Sequence, residues 1–175
     1  MSCKKVFFCN LIFFSLYAQE DLKYQVPPKA ILDLIDVTMP PRVLVDDNKN
    51  YMIYLYRDTY KTIEELSEKE MRLAGLRINP KTNIGSRVSY YNNIKISSVG
   101  NSPSKIYDVK GMPRGPRLSN IKWSPDQTKI AMTNTTKEGV ELWILDLKSS
   151  KLKRLTGPRL NANLGNVINW FKDSK

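Results

Sequence analysis

The chain has 175 residues, 41% of them hydrophobic, which is enough for a sizeable core. Its 28 Lys and Arg outweigh 17 Asp and Glu, a formal charge of +11, and it has no histidine, which excludes a Ser-His-Asp triad. The basic residues are spread through every segment, with no run and no zinc or helical reading motif. Nucleic acid is therefore not an expected partner; a solvated basic surface, or attraction to an acidic partner, is.

Residues 1–18 read as a signal peptide. Lys4 and Lys5 form a positive start, Val6 to Tyr17 a short apolar run, and Ala18 a small residue for cleavage before Gln19. The run is too short to span a bilayer, although an uncleaved anchor is the alternative. Both cysteines, Cys3 and Cys9, lie inside it, so the mature chain would carry no disulfide and no thiol chemistry. The expectation is an exported protein, periplasmic or secreted, with no stable membrane insertion after cleavage behind Ala18.

Residues 19–41 read as a lead-in. Tyr24 to Pro28 should be extended, since prolines and the residues before them disfavour helix. Ile31, Leu34 and Ile35 have a short helical spacing, closed by Met39-Pro40-Pro41.

A first strand-rich unit is expected over 42–110. Val43 to Ile53 reads as strand, Asp-rich turn, strand. Tyr51 to Arg57 is β-branched and aromatic with both faces apolar. An insertion follows. Thr62 and Glu65 have capping-box spacing at a helix start, with Ile63, Leu66 and Leu73 expected to share a face. Glu64, Glu65, Glu68 and Glu70 form an acidic cluster. Without His or an Asp-x-Asp loop it is a weak metal site, and solvated glutamates are the expectation. Arg72 to Ile78 reads as one strand, stopped by Asn79-Pro80. Ser89 to Val99 and Ser104 to Val109 supply outer strands.

The segment 111–160 is the most regular. After the loop Gly111 to Pro116, four strands are expected. One ends at Trp123; the others cover Lys129 to Thr133, Val140 to Leu147 and Leu152 to Thr156. The breaks are Ser124-Pro125-Asp126-Gln127, Lys137-Glu138-Gly139 and Lys148-Ser149-Ser150. Val140, Leu142 and Ile144 alternate with Trp143, Leu145 and Leu147, so this strand needs cover on both faces. Four strands in about 40 residues make one β-propeller blade, with a β-sandwich strand set as the alternative. Asn169 to Lys175 repeats the Lys122 to Gln127 pattern about one blade period later, and Val43 to Ile53 has the same shape upstream. The expected fold is all-β: a partial propeller of about two blades, with 161–175 the truncated start of a third. The helical insertion decorates the first blade.

Some runs carry a resemblance. Pro28 to Asp33, Ile63 to Leu66, Arg72 to Pro80, and Leu155 to Asn166 with Trp170-Phe171 resemble the N-terminal part of the glutamyl endopeptidases of the prolyl oligopeptidase family of serine peptidases. The resemblance implies a propeller that gates and scaffolds a C-terminal α/β-hydrolase domain. That domain would carry the triad, bind the peptide substrate and cleave after glutamate. Three positions depart from the pattern: Gln127 stands where the blade turn usually has Gly, and Lys61 and Lys172 where Pro is expected. No Gly-x-Ser-x-Gly elbow and no phosphate-cradling glycine loop occur. No residue here is assigned a catalytic, cofactor-binding or metal role, no cofactor is expected, and the chain alone should be inactive. Two other readings stay open: a non-catalytic periplasmic propeller-type binding protein, and an orphan fragment that is unstable alone.

Overall fold

A computed structural model describes residues 25–100 and 105–174. The expected signal peptide lies outside the described residues. The chain divides into two compact units, Met1–Val37 and Thr38–Lys175. In the first unit the described structure is one short helix, α1 (Lys29–Ile35), with no buried residue. Ile31, Leu34 and Ile35 are all exposed, and Lys29 pairs with Asp33 one turn on at 2.9 Å.

The second unit is mostly β, built of three antiparallel sheets. The first sheet contains β1 (Arg42–Val45), β2 (Tyr51–Tyr56), β6 (Asn93–Ser98) and β7 (Ile106–Asp108), in the order β1-β2-β6-β7. Between β2 and β6 the chain leaves to form helix α2 (Ile63–Ser67) and a small sheet of β3 (Met71–Leu73), β4 (Leu76–Asn79) and β5 (Ile84–Gly85). The other four-stranded sheet is a meander, β8 (Leu118–Trp123), β9 (Lys129–Thr135), β10 (Val140–Asp146) and β11 (Lys151–Arg154), each paired with its sequence neighbour.

Cross-strand pairing places the core. Ile53 lies opposite Ile96 and Leu55 opposite Ile94 in the first sheet. Leu145 lies opposite Ile130, and Trp143 opposite Met132, in the meander. These residues belong to one cluster drawn from both sheets, which also holds Leu118, Leu147 and Leu152. Burying a side chain such as Leu145 completely contributes about 1.5–3 kcal/mol. The opposite face of the meander is buried as well, at Val140, Ala131 and Thr133. The following chain touches the sheet at two places: Leu160 bridges to Val140 at the start of β10, and at β8 Lys122 Nζ donates to the Ile168 carbonyl and Trp170 Nε1 to the Lys122 carbonyl. On this face of β10 Val140 is buried, while Leu142 and Ile144 are half-buried. Gly139 makes the tight turn before it, where a Cβ would lie 2.5 Å from the Pro158 carbonyl oxygen.

The turns of the three sequence copies have the same geometry, although only the first two are flanked by strands. Lys49 N donates to the Asp46 carbonyl, Gln127 N to that of Ser124, and Ser174 N to that of Phe171, at 2.9–3.0 Å. Each turn ends on a non-glycine residue with positive φ: Lys49 at 58°, Gln127 at 57° and Ser174 at 61°. The turns also touch in series. Across 80 residues of sequence, Gln127 Nε2 donates to Asp47 Oδ2 at 3.2 Å and Gln127 Oε1 accepts from Asp47 N at 3.3 Å. Asp126 N donates to Ser174 Oγ, 48 residues on, at 3.0 Å.

Two expectations need correction. Arg72 to Ile78 is a hairpin, because Ala74 and Gly75 both take positive φ, 45° and 88°, the requirement of a type I′ turn. Ile63, Leu66 and Leu73 do not form a packed face; they are 86%, 70% and 52% exposed. A five-residue helix has only one full turn, and its inward side is taken by glutamates.

Candidate functional site

The Thr62 capping box forms as its spacing requires: Glu65 N donates to Thr62 Oγ1 and Thr62 N to Glu65 Oε2. This fixes α2 so that the acidic cluster meets basic groups from the meander. Glu64 pairs with Lys137 at 3.0 Å. Glu68 pairs with Arg117 at 3.1 Å, and Glu65 lies 3.7 Å from the same guanidinium. Glu68 also accepts from Asn79 Nδ2. The Arg117 guanidinium sits 4.4 Å over the Tyr90 ring, a cation–π contact. Its backbone N–H donates to Asn134 Oδ1 at the end of β9.

Glu70 has a different task. It accepts from Ser86 Oγ at 2.6 Å and from Arg72 and Arg77 at 2.9 Å each. These bonds span the small sheet, whose β3 residues are all exposed. The Ser86 bond, then the Arg72 bond, hold the Glu70 carboxyl at a pKa of about 2. The bond from Lys137 lowers the Glu64 pKa likewise. Burial pushes the Tyr90 phenol upward. The glutamates are therefore not simply solvated: each faces a named cation or donor. None of these partners is visible from sequence spacing. Arg117 lies 49 residues from Glu68 and Lys137 lies 73 from Glu64.

Beneath α2 is a cavity of about 750 Å³. α2 and its flanks supply Thr62, Glu64 and Glu68; the loop after β4 supplies Lys81 and Thr82. The opposite wall is Arg114 and Arg117 before β8, and Asn134 to Lys137 at the end of β9. Nothing in the sequence marked this cavity, because the insertion and the meander meet only in the fold. Among the described residues no group of three or more His, Cys, Asp or Glu is placed to hold a metal ion. Behind the cavity wall Glu141 is buried, with bonds from Asn134 Nδ2, Trp143 Nε1 and Arg154 Nη1. That set of donors makes it a structural carboxylate.

No protein-family model matches the chain. It is 30% identical over 164 residues to a protein of Oryza sativa subsp. japonica named "Probable glutamyl endopeptidase, chloroplastic". It is 26% identical over 163 residues to a protein of Arabidopsis thaliana with the same name. Each match covers 86% of this chain but only 17% of the relative. The chain is thus related to one region of peptidases bearing that name.

Proposed function

We propose that the chain is propeller-type scaffold of an exported serine peptidase of the glutamyl endopeptidase kind, gating a hydrolase domain that other residues provide. The observation that carries this reading is the serial contact of three equivalent turns, 46–49, 124–127 and 171–174. Radial repetition of four-stranded units brings equivalent turns together in this way. The likeness to both named peptidases supports it, since it runs through 86% of the chain. Triad chemistry needs a histidine, and this chain has none. Its contribution is therefore to position and restrict: the propeller limits entry to short or unfolded peptides, and the chemistry lies elsewhere. The export half of the proposal rests on residues 1–18.

The test is the coding sequence downstream of codon 175. The expected result is an open frame with further strand-turn repeats, then Gly-x-Ser-x-Gly and a later histidine. A stop directly after Lys175 would favour a binding module without catalysis.

A further inference from the structure

The outer face of the first sheet is only half covered. Side chains alternate along a strand, so β2 sends Ile53 and Leu55 into the core and Met52, Tyr54 and Tyr56, all half-buried, to the other side. β1 extends that outer row: Val43 lies opposite Tyr54 and Val45 opposite Met52, and the two valines are 45% and 48% exposed. The ion pair on this face lies beyond the row, on β6 and β7, where Lys95 meets Asp108 at 3.3 Å. An antiparallel sheet with one face in water carries polar side chains there. Here five apolar or aromatic side chains stand together on two neighbouring strands, as on a surface that packs against another element.

The same sheet shows what covers such a face. Its inner face packs on the meander, another four-stranded sheet, through one core. The turns of these two sheets meet at Asp47 and Gln127, and the next copy of the turn, 171–174, bonds to the second. Units thus follow one another, and the outer face of the first sheet is where the series has no neighbour among the described residues. Each match covers only 17% of its relative, so most of each relative's length lies outside the matched region. From this we infer that the outer face of the first sheet is the docking surface of a later four-stranded sheet of the same polypeptide, seated on Val43, Val45, Met52, Tyr54 and Tyr56. The inference rests on the propeller-type reading and adds to it the surface on which the ring closes. The occupant's own face is apolar, because Lys95 is already paired and offers a charged partner little.

The test uses the product of the complete open frame that contains this chain. Hydroxyl-radical footprinting against the urea-unfolded product measures cover at Val43 and Val45. Without an occupant both should react at about half the unfolded rate, as their exposure requires; with the later sheet seated they should be protected about tenfold. Photo-methionine at Met52 identifies the occupant, and its cross-links should fall on a later strand of the same polypeptide. Val45→Asp should lower the melting midpoint of the complete product; if that variant does not fold, the wild-type footprint still decides. Half-rate labelling of both valines in a product that holds later sheets would overturn the inference and leave the propeller-type reading intact. So would cross-links from Met52 to a second copy in an isotope-mixed sample. A frame without further four-stranded units would sink both.

Discussion

At the scale of single residues, Gln127 shows how a departure from the usual turn is tolerated. Its φ of 57° is one that glycine adopts freely and other residues at a cost of about 1–2 kcal/mol. Its side chain offsets that cost by bonding Asp47 twice. Gln127→Ala keeps the strain and loses the bonds, so urea unfolding should show a loss of about 1 kcal/mol. Gln127→Gly loses the bonds and the strain together and should be close to neutral. The neighbouring Asp126 carries a pH dependence. Ser124 Oγ first, then Thr128 N, hold its carboxyl near a pKa of about 2, below its ordinary 3.8. A depressed carboxylate stabilises the fold above its unfolded pKa, and that contribution is lost as pH falls towards the folded value. The melting midpoint of the wild type should therefore fall between about pH 4 and pH 2. In Asp126→Asn that share of the fall should vanish, which thermal scans across the window will show.

Elements follow from sequence to the extent that their determinants are local. The four strands of the meander were legible because alternation, Pro125-Asp126 and Gly139 all act within a few residues. The same holds for the Thr62 capping box. The small sheet was not legible. Arg72 to Ile78 reads as a continuous strand until Ala74 and Gly75 take positive φ, and β5 has only two residues, Ile84–Gly85. What holds this sheet is Glu70, whose partners Arg77 and Ser86 lie 7 and 16 residues away. Glu70→Gln should thus raise amide exchange across β3, β4 and β5 several-fold while leaving β9 and β10 protected. Equal loss of protection in the meander would contradict a local role. The cavity was illegible for the same reason: its walls come from α2 and from the end of β9, and only tertiary contact joins them.

The second unit rests on one core shared by two four-stranded sheets. Leu145 sits within that core at 0% exposure. Leu145→Ala should cost about 2–5 kcal/mol in urea unfolding, whereas Leu164→Ala, at a position 70% exposed, should stay within about 0.5 kcal/mol. Fold alone does not specify chemistry, so the peptidase role has to be read from activity. The most direct measurement is hydrolysis of short glutamyl peptides by the product of the complete open frame that contains this chain. The expected result is cleavage after glutamate, abolished by a serine-directed phosphonate. Cleavage insensitive to that reagent, or none on any glutamyl peptide, would contradict a role as the gate of a serine peptidase.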